Sequence, residues 1–154
     1  MRRLAEILYS VTLTLWVGGL WSIGYLVAPT LFHALGSDRP LAGQLAGRLF
    51  ELIGWVGLGC AGYLLLFLLV RLRGAVVRRW DFWLLLLMLL LTVVGLFGVQ
   101  PLLAQLKADA LPREVMASVL RDRFAAWHGV SSILYLLQSL LGLLLVAATA
   151  RGVR

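Results

Sequence analysis

The chain has little of what catalytic and metal sites are usually built from. Its 154 residues include one cysteine, two histidines and a single lysine, Lys107, and only 14% are charged, against about 25% in soluble domains. Because Cys60 stands alone inside an apolar run, no internal disulfide can form, and a small buried hydrophobe is the ordinary interpretation. Two distant histidines make a weak metal signal, since a structural site usually takes four ligands.

Short enzyme motifs are also missing from the sequence. It contains no phosphate-binding glycine loop and no HExxH, and the apolar runs carry too few acids for a Ser-His-Asp arrangement. The formal charge of +7 could point to nucleic acid, but the basic residues stand at the ends of apolar runs. That placement is typical of residues that orient a membrane protein. We therefore expect a lipid bilayer as the partner and no nucleic acid, while enzymatic activity stays open and a non-enzymatic role is favoured.

Long apolar runs dominate what is present. Hydrophobic residues make up 62% of the chain, and the mean hydropathy is +0.95. The runs predict four membrane spans, over residues 7–31, 49–70, 80–101 and 128–150, each longer than the roughly 20 residues that cross a bilayer. We expect an all-α integral membrane four-helix bundle that forms one transmembrane domain over residues 1–154.

The three connections differ in character. Residues 71–79 form a short basic turn. Residues 36–48 predict a short amphipathic helix, with Ser37 or Asp38 as its cap and Pro40 in its first turn. A second amphipathic helix is predicted after Pro112, within residues 107–127, and it should lie in the headgroup region before span four.

Charge predicts the orientation of the bundle. The side with both termini holds eight arginines and the opposite side six basic residues, and the densest basic stretch is the turn over residues 71–79. Because basic residues favour the cytoplasmic side, we expect both termini in the cytoplasm. The expected location is the plasma membrane, or the inner membrane in a bacterium.

Polar residues enter the spans in stripes. In span four they recur at offsets of three and four, at His128, Ser131, Ser132, Tyr135, Gln138, Ser139 and Gly142. This spacing puts them on one helical face, which should face the bundle because polar groups in lipid are costly. Span two has small residues, among them Gly57 and Ala61, that allow close helix approach. They make a homo-oligomer possible through Gly57 and Ala61, or through Gly43 and Gly47.

The ends of the predicted spans and the polar stripe of span four point to one candidate site. His33, Glu51, Gln100 and His128 should all fall at the extracytoplasmic end. The predicted outer polar cluster comprises His33, Arg48, Glu51, Gln100, His128, Ser131, Ser132, Tyr135 and Gln138. A structural interpretation stays open for each member: His128 as a helix-starting residue, Arg48 and Glu51 as an ion pair, and the serines and Gln138 as interhelical hydrogen bonds.

Three segments resemble the transmembrane protein 205-like family, small four-helix membrane proteins with a domain of unknown function. They are Trp16-Val17-Gly18-Gly19 leading to Ala28–Phe32, then Asp38–Phe50, and Phe124–Ser132 with its His-Gly-x-Ser-Ser element. The resemblance implies an α-helical membrane protein and carries no established reaction. The architecture is more distantly similar to copper-resistance membrane proteins and to haem-containing protoporphyrinogen oxidase, which uses an intramembrane lysine that no span has here.

Three functions compete at this point. The leading hypothesis is a non-enzymatic bundle that handles or exports a small solute or a metal ion through the outer polar cluster. The second is a haem-binding redox protein, with His128 as the first candidate cofactor ligand and His33 as the second. The third is a structural subunit that forms oligomers.

Overall fold

A computed structural model describes the backbone of residues 2–109 and 117–151, and the side chains of residues 3–106 and 122–150. These ranges are helical throughout apart from short turns, and no strand occurs in them. Four helical rods there are long and apolar enough to cross a membrane: Arg3–Ala34, Arg39–Arg78, Trp80–Leu106 and Asp122–Ala150. The prediction of an all-α chain with four spanning helices is confirmed, and we call these rods spans one to four.

The rods consist of six α-helices, two π-turns that are wider than an α-helix, and one 3₁₀ turn that is tighter. The α-helices are α1 (Arg2–Trp21), α2 (Ala28–Ala34), α3 (Arg39–Leu72), α4 (Trp80–Val93), α5 (Gln100–Asp109) and α6 (Ala117–Arg151). π-Turns over Ser22–Val27 and Val94–Val99 join α1 to α2 and α4 to α5. A 3₁₀ turn over Arg73–Arg78 links spans two and three.

The start of α3 follows the chemistry expected from its sequence. The Asp38 side chain accepts a hydrogen bond from the Leu41 amide at 3.0 Å, and Pro40 lies in the first turn. These two residues satisfy or remove amides that have no helical partner. The helix then continues to Leu72 without a break, so residues 39–48, predicted as a separate short helix, are the first three turns of span two.

The connection before span four lies only partly within the described residues. α6 runs unbroken from Ala117 to Arg151, so its first turns and span four form one helix. Pro112, at which the second amphipathic helix was predicted to begin, lies outside the described residues, as do Val115 and Met116.

Each π-turn ends two residues before a proline. Val27 precedes Pro29, and Val99 precedes Pro101. A proline has no amide to donate, and its ring collides with the carbonyl four residues earlier, here inside the π-turn. Widening the helix there moves the hydrogen bonds to carbonyls five residues back, as from the Ala28 amide to Ile23 and from the Gln100 amide to Gly95.

Neighbouring rods run antiparallel in a four-membered ring. Span one packs between spans two and four, and span three packs between the same two rods on the far side. Two ends can therefore be defined: the His33 end, where α2 leads into α3, and the Arg71 end, where α3 leads into the 3₁₀ turn.

The fully buried side chains lie mainly toward the Arg71 end. Trp16, Leu64, Leu85, Met88 and Leu145 are all at most 1% exposed. Trp16 packs its indole against Gly57, where an added Cβ would lie 2.5 Å from Nε1. Trp16 is therefore a packing residue of the bundle interior.

Large apolar side chains cover the outside of the rods. Leu26, Leu66, Val70 and Ile133 are each at least 60% exposed. Such an apolar surface is unfavourable in water and favourable in the hydrocarbon core of a bilayer, where it packs against lipid chains. The chain is accordingly a multi-pass membrane protein.

Candidate functional site

The polar stripe of span four meets span one at its π-turn. The Tyr135 hydroxyl donates a hydrogen bond of 2.6 Å to the backbone carbonyl of Leu20, two residues before that turn. The change from α to π hydrogen bonding leaves a carbonyl in need of a donor. The ring lies against Gly24, where an added Cβ would overlap it. Tyr135 thus fills the gap that the widened helix opens.

Aromatic rings surround Tyr135 on the side of the His33 end. The Phe50 ring meets it edge to face at 5.0 Å between centroids, and the Tyr25 ring at 6.3 Å. Trp21 in turn lies 5.2 Å from Tyr25. Edge-to-face contacts of this kind are favourable for aromatic rings. Together they connect spans one, two and four.

Gln138, one turn deeper, joins spans four and three. Its Nε2 donates to the Thr92 hydroxyl at 2.9 Å, and that hydroxyl donates to the Met88 carbonyl at 2.9 Å. Gln138 is only 5% exposed, and its Oε1 has no hydrogen-bond partner within residues 3–106 and 122–150. The orientation of the amide follows from the contact, because the Thr92 proton is already used. A buried acceptor is therefore left open beside the second π-turn.

Ser139, next to Gln138 in the chain, is the second buried polar residue of this region. It is 1% exposed, and its hydroxyl donates to the Tyr135 carbonyl at 2.8 Å. Its own carbonyl accepts from the Trp21 indole at 3.4 Å. We call Thr92, Tyr135, Gln138 and Ser139 the inner polar set.

The predicted outer cluster divides according to exposure. His33, Arg48, Glu51, His128 and Ser132 are exposed; Gln100, Ser131 and Tyr135 are partly buried; and Gln138 is buried. The antiparallel rods place His33, Glu51, Gln100 and His128 toward the same end of the bundle. Within residues 3–106 and 122–150, no hydrogen bond or ion pair joins exposed members that lie on different helices.

Among these exposed residues the contacts are local to one helix. His128 stacks on Phe124 with ring centroids 5.8 Å apart, and its carbonyl accepts from the Ser132 hydroxyl at 2.9 Å. Ion pairs between described side chains join Glu6 to Arg71 and Asp81 to Arg79, so Arg48 and Glu51 do not pair with each other. Over residues 3–106 and 122–150, no three His, Cys, Asp or Glu side chains come together as metal ligands.

Both of those ion pairs lie at the Arg71 end. Arg71 Nη1 contacts Glu6 Oε1 at 2.5 Å, and Arg79 Nη2 contacts Asp81 Oδ2 at 2.7 Å. The hydrogen bonds to the Asp81 carboxylate raise the pKa of Arg79 above its ordinary value. This end of the bundle therefore has ion pairs at its surface and apolar packing in its interior.

Thr92 in the inner polar set was not foreseen from the sequence, nor were two contacts of Tyr135, the Leu20 carbonyl and the Phe50 ring. Thr92 does carry a signal, as the hydroxyl residue of the apolar run over residues 82–99, and such residues usually bond across helices. A backbone carbonyl freed by a π-turn carries none that a pattern of side chains could show.

Four long apolar helices around a small set of buried polar residues define a polytopic α-helical membrane protein. A family model described as domain of unknown function (DUF4149) matches residues 11–111, nearly two thirds of the chain. The chain belongs to this family. It matches no curated protein and no solved structure, and the resemblance to transmembrane protein 205-like proteins stays a prediction.

Proposed function

We propose that this protein binds a small neutral solute within the membrane, without catalysing a reaction, and that the side-chain carbonyl of Gln138 recognises it. The observation that carries the proposal is the unpartnered Oε1 on a side chain that is 95% buried. A buried acceptor without a donor costs about 1–3 kcal/mol. A bound molecule that donates a hydrogen bond would recover that cost.

The inner polar set favours a particular chemistry in that molecule. The hydroxyls of Thr92 and Ser139 both donate to backbone carbonyls, so toward a ligand they offer only lone pairs. Together with Gln138 Oε1 they make an acceptor-rich surface, and none of their hydrogen bonds involves a charged side chain. A neutral molecule with hydroxyl or amide N–H donors fits this surface, as a polyol or a urea does.

Access to the inner polar set is favoured from one end. Toward the Arg71 end, Trp16, Val17, Leu85, Met88 and Leu145 form a buried apolar core. Toward the His33 end lie partly buried Ser131 and Gln100 and the exposed outer residues. This contrast supports binding or release at a single membrane face, and it gives the outer polar cluster the role of an entrance.

We infer that the entrance faces away from the cytoplasm, because the arginine-rich side carries both termini. In a Cys60→Ala background, cysteines at positions 33 and 128 should react in intact cells with a thiol reagent that cannot cross the membrane. A cysteine at position 78 should react only after the membrane is opened. Labelling of positions 33 and 128 from opposite faces would contradict the inferred topology.

Saturation-transfer NMR on the detergent-solubilised protein tests the binding proposal. Glycerol and urea, which carry donors, should receive saturation, and dimethyl sulfoxide, which only accepts, should receive much less. The Gln138→Leu variant should lose the signal for the two donors. Equal signals from wild type and Gln138→Leu would show that Gln138 recognises neither solute, and would overturn the proposal.

A metal or haem site is the competing outcome, and an absorption spectrum separates it. His128 and His33 are the candidate ligands, and both are exposed. A Soret band in protein purified from haem-replete cells, lost in His128→Ala, would replace the solute proposal with a haem-binding one. A spectrum without that band leaves the solute proposal as the one to test.

A further inference from the structure

An open groove lies between spans one and four near the Arg71 end, away from the inner polar set. It has a volume of about 200 Å³ and is lined by Ser10, Leu13, Thr14, Val146, Thr149 and Ala150. Small-molecule sites usually measure about 300–1,000 Å³. The groove is thus too small for a whole drug-sized ligand, and its volume suits a segment of a single hydrocarbon chain.

Above this groove stands an arginine on the same face of α1. Arg3, Ser10 and Thr14 are separated by seven and four residues, which places them within about 20° of one line along the helix. Two helical turns, or about 10.5 Å, separate Arg3 from Ser10 along the axis. Arg3 is exposed, and it therefore stands at the outer mouth of the groove, at headgroup level when the groove lies among acyl chains.

The charge at this end is left uncompensated. Its described side chains include five arginines and two acids, and each acid pairs with one arginine. Arg3, Arg73 and Arg78 have no carboxylate partner among residues 3–106 and 122–150. Glu6, the acid nearest to Arg3 in sequence, is neutralised by Arg71. An anion approaching the mouth of the groove would meet a positive field.

We propose that this groove binds an anionic phospholipid, with one acyl chain between spans one and four and the phosphate group at Arg3. Charge complementarity favours this occupant over a zwitterionic lipid, because each arginine near an anionic headgroup adds about 1 kcal/mol. The hydroxyls of Ser10 and Thr149 donate to the carbonyls of Glu6 and Leu145. Two of the three hydroxyls that line the groove therefore present no free proton to the lipid chain.

Native mass spectrometry of the delipidated protein in mild detergent tests this proposal. It would be titrated with dioleoyl phosphatidylglycerol and with dioleoyl phosphatidylcholine, which share their acyl chains and differ in charge. We expect a one-lipid adduct that forms at least tenfold more readily with phosphatidylglycerol. Equal affinity for the two lipids would overturn the assignment of an anionic headgroup.

Two pairs of variants place the lipid in the groove. Arg3→Gln should reduce phosphatidylglycerol binding about fivefold, and Arg39→Gln, an exposed arginine at the other end, should leave it unchanged. Ser10→Leu fills the groove and should reduce binding of both lipids. Its control is Thr30→Leu, because Thr30 is exposed on the same span and also donates to the carbonyl four residues earlier.

Because Arg3→Gln leaves the core untouched, it stays informative even where Ser10→Leu disturbs folding. Identical lipid binding in Arg3→Gln and Arg39→Gln would contradict the site. So would a dimer that Ser10→Leu abolishes, since that result would make a second copy of the chain the occupant of the groove.

Discussion

The helices pack together through different interactions in the two halves of the bundle. Toward the Arg71 end, helices meet through fully buried apolar side chains, with Trp16 seated on Gly57. Toward the His33 end, the helices widen into two π-turns, and hydrogen bonds and edge-to-face aromatic contacts add to the apolar packing. Since lipid tails are as apolar as leucine, close packing rather than the hydrophobic effect holds the first half together.

The difference has a consequence for binding. A close-packed region has one arrangement and resists expansion, whereas π-turns are frequent at functional sites. Gln138 lies where the two halves meet, with its amide nitrogen bonded to Thr92 and its carbonyl open. The packed half then serves as the rigid floor of the proposed solute site.

Matched glycine substitutions give the largest expected effects and would break the comparison most directly. Gly57→Ala should lower the free energy of unfolding by about 3 kcal/mol, because the new Cβ would meet the buried indole of Trp16. Gly24→Ala should cost only about 1 kcal/mol, because the Tyr135 ring that it displaces is partly exposed. Unfolding in mixed detergent and SDS micelles measures both.

Gly59→Ala is the control for these substitutions. Gly59 is exposed, and nothing lies within 4 Å of an added Cβ, so alanine should stabilise the helix by up to about 1 kcal/mol. Equal losses for Gly57→Ala and Gly24→Ala would show that the two halves resist expansion equally.

Gln138→Leu should raise the free energy of unfolding by about 1 kcal/mol in the absence of ligand. The substitution removes the unpartnered Oε1, which costs about 1–3 kcal/mol, and loses one interhelical hydrogen bond of about 0.6 kcal/mol. Thr92→Val, on the same hydrogen bond, should instead destabilise by about 1 kcal/mol because it leaves the Gln138 amide unpaired as well. If Gln138→Leu destabilises the protein, Oε1 has a partner that the structure does not show.

Tyr135→Phe should cost about 0.6 kcal/mol, the usual value for a hydrogen bond between membrane helices. Tyr63→Phe is its counterpart in the packed half. The Tyr63 hydroxyl also donates to a backbone carbonyl, that of Ala5, but over 3.5 Å instead of 2.6 Å. It should therefore cost almost nothing, and equal losses for the two variants would remove the special role assigned to the π-turn.

Much of this fold follows from the sequence because each part depends on local chemistry. Apolar runs longer than a bilayer is thick must be helical, and all four spans were predicted. Asp38 and Pro40 mark the start of α3 by rules that involve only neighbouring residues.

The sequence indicates where two of the helices are interrupted, but not that the interruptions are π-turns. Pro29 and Pro101 each remove a helical hydrogen bond, and a kink or a π-turn satisfies that loss equally well. Which one forms depends on what fills the gap. For span one the partner is Tyr135, more than one hundred residues away in the chain.

The candidate site follows from the spacing of polar residues along span four, but that spacing does not show which of them are buried. The period of the span-four stripe does not show which of its positions the neighbouring helices cover. As a result His128 and Ser132 lie exposed, while Gln138 and Ser139 are buried. Gly57 and Ala61, considered above as an oligomer contact, are both buried within the chain's own bundle. They therefore cannot face a second copy of the chain.

The smallest effect is expected at the charged rim of the packed half. Glu6→Gln should cost about 0.5 kcal/mol, because the pair with Arg71 is half exposed on both sides and exposed pairs contribute about 0.2–1 kcal/mol. The loss should disappear in 1 M salt, where the screening length is about 3 Å. Asp81→Asn should cost more and persist in salt, since the Asp81 side chain is only 13% exposed. A salt-resistant loss of several kcal/mol in Glu6→Gln would mean that charge, rather than the packing around Trp16, holds this half closed.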